Sequence, residues 1–358
     1  MRSLKICLVG NSLSFGGADK IHAVLSNYLA SEGFEVHNII FIDAISYDFS
    51  GEILNLGKTY KTGGVFEVLK RFRMISKYLK KHEFDYIIDF RSHHKPLREF
   101  VLTRLMSRYR YIPTVHSFNT EWYFTPNDFV AKRIFSKAHK IVCVASEIES
   151  KVKSEYGYQN VMTIPNPLEI AKIQKLSSEE IGQDSRYILA AGRMAEDDHK
   201  QFAKLIDAFA DSDLPKNNFK LLILGDGPLR KQLETSCGKR NLPVIFKGFV
   251  QNPYPYLKTA DFVVLTSKFE GLPNILAEAL AVGTPVVSFD CKSGPRELIA
   301  HKQNGLLVPN QNWDEFVKSL NLISENNELR HYCASNAEAS IRKFEVSSIG
   351  QIWKELLK

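Results

Sequence analysis

The stretch Phe269-Glu270-Gly271-Leu272-Pro273-Asn274-Ile275-Leu276-Ala277-Glu278-Ala279-Leu280 is the part of the chain richest in chemistry. Gly271 and Pro273 break the apolar run before them, and proline is tolerated at the first position of a helix. The sequence therefore predicts a helix opening near Pro273, with the backbone N–H groups of Leu272, Asn274 and Ile275 directed at one point. Such N–H groups and the helix dipole together make an anion site. Glu270 stands just before that point and Glu278 on the second turn beyond it. Each carboxylate accepts hydrogen bonds from hydroxyls, so the pair suits hydroxyls on the two sides of a bound diphosphate. Ribose, diphosphate and hexose, the parts of a nucleotide sugar, have that layout. The plain alternative is a helix with a proline start and a solvated glutamate at each end.

Two further segments lie where a ligand would be met. The turn Asn11-Ser12-Leu13-Ser14-Phe15-Gly16-Gly17-Ala18 has glycines where a helix begins, which lets backbone approach a ligand closely. It is not Gly-x-Gly-x-x-Gly, which disfavours dinucleotide binding. His116 follows a strand expected to end at Val115. Metal ligation has poor support: Asp197-Asp198-His199 is the only dense candidate, reads as a solvated turn, and no metal is expected.

Positioning these residues requires strands that stop in register. Short apolar runs alternate with helical patterns from end to end, the mark of βα units around a mostly parallel sheet. Strands are expected at Leu4–Val9, Val36–Ile42, Tyr86–Phe90, Tyr111–Val115, Ile141–Ala145 and Val161–Ile164. After Ile164-Pro165-Asn166-Pro167, read as the start of a linker, and the polar stretch Lys175–Arg186, they resume. The second set is Tyr187–Ala191, Lys220–Leu224, Val244–Phe246, Phe262–Leu265 and Pro285–Ser288, with helices at Trp313–Ile323, Asn327–Lys343 and Ser347–Lys358. Two doubly wound, Rossmann-like α/β domains are the expected fold, at 1–170 and 171–340. A C-terminal helix within 341–358 would cross back to the first domain. Ligands of such sheets bind at the carboxyl ends of the strands, so two facing domains would hold one in the cleft between them.

At 358 residues and 44% hydrophobic, the chain can bury two cores. No apolar stretch approaches the roughly 18 residues that span a bilayer, and no signal segment is visible. Five widely spaced cysteines without a Cys-x-x-Cys pair suggest reduced thiols and a cytoplasmic protein. The net charge is +7, and residues 1–175 carry 25 Lys and Arg against 17 Asp and Glu. Segments 65–81 and 96–110 hold Lys70, Arg71, Arg73, Lys77, Lys80, Lys81, Arg98, Arg104, Arg108 and Arg110 among apolar residues. That pattern suits an anionic membrane surface as well as a solvated helix face. A nucleic-acid partner is disfavoured, because no recognisable module is present.

The segment Glu270–Glu278 resembles the E-x7-E motif of family 4 glycosyltransferases, retaining enzymes of the two-domain B-type fold. Ala190-Ala191-Gly192-Arg193, Leu224-Gly225-Asp226-Gly227-Pro228, Phe246-Lys247-Gly248, Gly283-Thr284-Pro285 and Ser293-Gly294-Pro295-Arg296-Glu297 extend the likeness over most of the chain. The resemblance implies that Glu270 holds hydroxyls of the transferred sugar and Glu278 those of the ribose. It also implies that Arg193 and Lys200 neutralise the leaving diphosphate in place of a metal or other cofactor. Preorganised cations are what that step needs. The family lysine usually follows the arginine by about five positions. Here Glu196-Asp197-Asp198-His199 push it to seven, which leaves Lys204 as a substitute. Gly16 and Gly17 would lie over the donor phosphate, and His116 beside the reacting sugar. Without a protein nucleophile, a front-face mechanism is implied. The nearest likeness is to bacterial enzymes of lipopolysaccharide, O-antigen or capsule synthesis. These move a hexose or N-acetylhexosamine from a UDP-sugar to a glycan or lipid-linked glycan acceptor. The rival class is a protein that binds a nucleotide sugar or glycan without turnover.

Overall fold

The computed structural model describes residues 3–14, 16–59, 65–93, 96–124, 128–182 and 185–358. The chain divides into two compact units, Met1–Pro167 with Val346–Lys358, and Leu168–Glu345. In the first unit the strands are β1 (Lys5–Gly10), β2 (Glu35–Ile40), β3 (Glu52–Asn55), β4 (Tyr86–Asp89), β5 (Arg110–Val115), β6 (Ile141–Cys143) and β7 (Val161–Thr163). They form one sheet in the order β3-β2-β1-β4-β5-β6-β7. In the second unit they are β8 (Tyr187–Ala191), β9 (Lys220–Leu224), β10 (Val244–Gly248), β11 (Phe262–Leu265), β12 (Val286–Phe289) and β13 (Gly305–Val308), in the order β10-β9-β8-β11-β12-β13. Every pairing is parallel. Each unit is thus Rossmann-like, with the order reversing beside the first strand of the unit.

Parallel strands covered by helices on both faces read as unbroken apolar runs. Ile6, Cys7, Leu8 and Val9 are all fully buried, as are Leu221, Leu222 and Ile223. The core of the second unit joins Ile188, Ile223, Phe262 and Phe289 of the sheet to Phe209 and Phe316 of flanking helices. That of the first joins Leu8, Ile88 and Ile112 to Leu25 and Leu29 of the helix Gly17–Ser31, and to Ile349, Trp353 and Leu357 near the C-terminus. The five cysteines are buried and unpaired.

Several elements differ from the sequence reading. Strands β3 and β13, four residues each and both at sheet edges, were not expected. The segment after Pro167 is no plain linker. It carries a helix, Ile170–Leu176, whose Gln174 amide donates to the Ala281 carbonyl at 3.1 Å. The helix from residue 96 ends at Met106, so Arg110 lies on β5, with its guanidinium 5.1 Å from the centre of the Tyr86 ring. Pro273 is the N-cap and the helix itself runs Asn274–Ala281. The last helix spans Val346–Leu356 and belongs to the first unit. Leu168 bridges Glu345 and donates its N–H to the Phe344 carbonyl at 2.8 Å, so the two ends of the second unit are bound to each other.

Candidate active site

In an open parallel sheet the loops on the two sides of the order reversal diverge and leave a crevice at the carboxyl ends of the strands. In the second unit that point lies between β8 and β11. Lys200, on the loop after β8, meets Glu270, on the loop after β11, with Nζ 2.5 Å from Oε1. Ser267 Oγ donates to the same oxygen at 2.5 Å. The two charged side chains are only 18% and 12% exposed, so the pair is largely withdrawn from water and its geometry is tightly held.

The turn ahead of Lys200 explains its displaced position in sequence. Asp197 accepts from His199 Nδ1 at 2.9 Å, the His199 ring stacks on Phe269 at 5.6 Å, and the His199 carbonyl accepts from Lys268 N–H at 2.8 Å. Thr266 Oγ1 donates to the Lys200 carbonyl at 2.9 Å. The longer loop is therefore pinned against the segment that carries Glu270 and returns the lysine to the crevice. The lysine stem lies along Gly192, where an added Cβ would come within 3.4 Å of Lys200 Cε. Lys204 instead is exposed on the helix Phe202–Asp211, its ammonium 5.7 Å from the centre of the Trp313 ring. Arg193 lies two residues beyond the end of β8, after Gly192; it is exposed and makes no ion pair among the described residues.

Neighbouring loops buttress this edge. Gly225 has φ 117°, and a Cβ there would fall 2.1 Å from the Gly192 carbonyl oxygen. Only glycine lets the loop after β9 lie so close to the loop after β8. Ser293-Gly294-Pro295 does the same for the helix start. Gly294 (φ 94°) would place a Cβ 2.4 Å from the Gly271 carbonyl oxygen, Ser293 Oγ donates to that oxygen at 3.0 Å, and Glu270 N–H donates to the Lys292 carbonyl at 2.6 Å. The segment Gly271-Leu272-Pro273-Asn274-Ile275 is thereby fixed with the amino end of its helix at the crevice. Glu278 lies on the second helical turn and is 5% exposed.

The remaining sequence candidates sit in the first unit. Gly16 is the N-cap of the helix Gly17–Ser31, its carbonyl accepting from Lys20 N–H at 3.0 Å; Phe15 lies outside the described residues. His116 follows β5, partly exposed, its Nε2 3.0 Å from Thr114 Oγ1 and its ring 5.6 Å from that of Phe90. Burial lowers its pKa to about 3, so the imidazole is neutral at pH 7.

Sequence reasoning missed a buried network at the end of β4. Arg91, 1% exposed, pairs with Asp89 at 2.7 Å and Glu99 at 3.3 Å, and Tyr111 Oη donates to Asp89 at 2.8 Å. Burial opposes the ionised Asp89, but the Arg91 guanidinium and His93 outweigh it and hold the carboxyl far below its usual range. Asp89, Arg91 and His93 alternate along one short segment, but the burial that makes them a network, and the Tyr111 contact from β5, come from tertiary packing. Among the described residues the one grouping with metal-ligand geometry is Glu35, His37 and His82. Its groups are already engaged: His37 contacts Tyr78 Oη at 2.7 Å and Glu35 at 3.1 Å, and Lys5 pairs with Glu35 at 2.9 Å.

Known proteins resemble the chain along most of its length. The family described as "Glycosyltransferase Family 4" matches residues 15–172, and "Glycosyl transferases group 1" matches residues 172–340. The N-acetylgalactosamine-N,N'-diacetylbacillosaminyl-diphospho-undecaprenol 4-alpha-N-acetylgalactosaminyltransferase of Campylobacter jejuni is 29% identical over 95% of both chains. The amylovoran biosynthesis glycosyltransferase of Erwinia amylovora is 24% identical over the full length of both. The crystal structure of Anabaena Alr3699/HepE, solved with UDP and glucose, superposes with a TM-score of 0.76 over 99% of both chains at 20% identity, a likeness of fold. With consecutive family matches running from residue 15 to residue 340 and two Rossmann-like units beneath them, the chain belongs to the family 4, group 1 glycosyltransferases of the B-type fold.

Proposed function

We propose that this glycosyltransferase moves a hexose or N-acetylhexosamine, with retention of configuration, from a UDP-sugar to a lipid-linked glycan in the synthesis of lipopolysaccharide, O-antigen or capsule. The observation that carries the reading is the Lys200–Glu270–Ser267 constellation at the β8/β11 crevice, beside the helix start at Asn274. Glu270 is held by two donors on one oxygen, which orients the carboxylate for sugar hydroxyls. Lys200 and Arg193 supply the positive charge that a departing UDP requires, so no metal is needed. Glu278 takes the ribose hydroxyls. His116 is assigned to the transferred sugar, and Gly16 and Gly17 to the donor phosphate, on the resemblance alone. The β-phosphate oxygen of the donor takes the acceptor proton, and neither glutamate forms a covalent intermediate.

The names of relatives support the substrates. The Campylobacter enzyme acts on a diphospho-undecaprenol glycan, and the Anabaena protein was crystallised with UDP and glucose. A lipid-linked acceptor also gives purpose to the helix Val65–His82. Its Val68 and Leu69 are 37% and 54% exposed, and its Arg73, Lys77, Lys80 and Lys81 are exposed at helical spacing on one face. Apolar and cationic groups together suit an anionic membrane face. Of the other basic residues counted from sequence, the Arg98 side chain lies outside those described. No described helix is long and apolar enough to cross a membrane.

Calorimetric titration with UDP tests the donor assignment. Glu278→Ala is expected to weaken UDP about 10- to 100-fold, since a charged hydrogen bond contributes about 1.5–3 kcal/mol. Unchanged affinity removes its ribose role, and no UDP binding by the wild-type chain removes the reading itself.

A further inference from the structure

Glu35 and His37 stand two positions apart on β2, so both side chains leave the same face of the sheet. Glu52, on β3, is the residue paired with His37, and its Oε2 lies 3.6 Å from His37 Nδ1. The helix Val65–His82 brings Tyr78 and His82, one turn apart, to the same spot. The His37 ring lies 4.5 Å from that of His82 and 5.7 Å from that of Tyr78. One potential ligand atom from each of Glu35, His37 and His82 lies within 4.8 Å of the others. The group belongs to the first unit alone and sits toward the amino ends of β2 and β3. That edge is opposite the one at which ligands of such sheets bind.

The contacts already made are ones that a metal ion can use or replace. His37 Nδ1 is 2.7 Å from Tyr78 Oη, and Nε2 is 3.1 Å from Glu35 Oε1. A histidine that ligates through one ring nitrogen is oriented by a hydrogen bond at the other, and Tyr78 holds that place at Nδ1. A tyrosine hydroxyl both donates and accepts. It therefore serves Nδ1 whether Nε2 carries a proton for Glu35 or faces a metal. Two ligands on a tetrahedral zinc ion, each at about 2.0–2.1 Å, are roughly 3.3 Å apart, close to the separation of Nε2 and Oε1. Buried Phe84 packs edge-on against His37 at 4.9 Å and gives the group an apolar wall. Lys5 Nζ, 2.9 Å from Glu35 Oε1, competes for that oxygen. A doubly charged ion outweighs a single ammonium at the same carboxylate.

We propose that Glu35, His37 and His82 bind a zinc ion through a carboxylate oxygen, Nε2 of His37 and a ring nitrogen of His82. Glu52 fills the fourth position, directly or through water, and the ion staples the end of the helix Val65–His82 to β2 and β3. Two imidazoles in the set select zinc over calcium and magnesium, which take oxygen ligands. With Glu52 the set carries two negative charges, which a divalent ion neutralises. The ion takes no part in glycosyl transfer, and the site is independent of the one at the β8/β11 crevice.

The test is calorimetric titration of the full chain with zinc chloride, at pH 7 and with excess magnesium present. One equivalent should bind with micromolar or tighter affinity, and the melting temperature should rise with it. His82 is half-buried at a helix end, so His82→Gln should fold. It should lose both effects and keep UDP affinity within about twofold of wild type, as expected of distant sites. Tyr78→Phe should weaken zinc about tenfold by freeing the His37 ring, and Lys5→Gln should tighten it. A wild-type chain that binds no zinc overturns the site and needs no variant to fold. Equal zinc affinity in wild type, Glu35→Gln and His82→Gln overturns the assignment and leaves adventitious binding elsewhere among the ten histidines. Weaker zinc binding by Lys5→Gln overturns the competition. Failure of the donor reading is seen separately, as a wild-type chain that binds no UDP.

Discussion

Lys200 and Glu270 are 70 positions apart in sequence and 2.5 Å apart in space. An ammonium has three hydrogens to give, so Lys200 can keep Glu270 in place and still turn toward a diphosphate. Arg193 differs in being exposed and unpaired among the described residues, so its removal should cost the fold little. Arg193→Ala is expected to lower kcat about a hundredfold, the scale seen when a preorganised electrostatic donor is removed from developing charge, with little change in melting temperature. Steady-state kinetics beside thermal unfolding check this, and an unaltered kcat removes the leaving-group role. Arg193, Glu270 and Glu278 were legible because each sits in a contiguous string that encodes a strand end or a helix start. Lys200 was less so, and the turn through His199 that returns it is a tertiary matter. Ser267 and Thr114 gave no signal, because a hydroxyl in a loop or strand has no periodicity to betray its partner.

The loop Gly271–Pro273 and the segment Ser293–Gly294 act as one mechanical piece. Gly294 is held at φ 94° in contact with the Gly271 carbonyl, a conformation and a closeness that a Cβ forbids. Gly294→Ala is expected to destabilise the protein by about 1–3 kcal/mol and to weaken UDP binding by shifting the helix start. Gly238→Ala, at a helical site where an added Cβ meets nothing within 4 Å, is the control, expected to leave UDP binding unchanged and to raise stability by up to about 1 kcal/mol. Denaturant unfolding and calorimetry read the two effects, and a Gly294→Ala chain indistinguishable from the control contradicts the wedge. Most central strands could be placed from sequence because burial on both faces leaves an uninterrupted apolar signature. The edge strands could not. Glu52-Ile53-Leu54-Asn55 has polar ends, and Gly305-Leu306-Leu307-Val308 is too short to tell from a loop. Pairing with β2 and β12 makes them strands.

Two sheets of the same handed plan make up the molecule, and the chain returns to the first after completing the second. The helix Val346–Leu356 buries Ile349 and Trp353 against the helix Gly17–Ser31 and the sheet of the first unit. Gly350 lies so close to Tyr28 that an added Cβ would be 2.3 Å from its ring. Amphipathic spacing in the sequence announced the helix, whereas the core it completes is set by packing some 300 residues away in the chain, with Lys354 paired to Glu32. The central claim remains that the second unit carries a working donor site at its β8/β11 crevice. The most direct test is UDP release without acceptor, measured across UDP-Gal, UDP-Glc, UDP-GalNAc, UDP-GlcNAc and GDP-Man, for wild type and Glu270→Ala. Slow release of UDP from one of the four UDP-sugars, abolished in the variant, is the predicted result. Equal release by both chains would contradict the site, and cleavage of GDP-Man alone would contradict the UDP assignment.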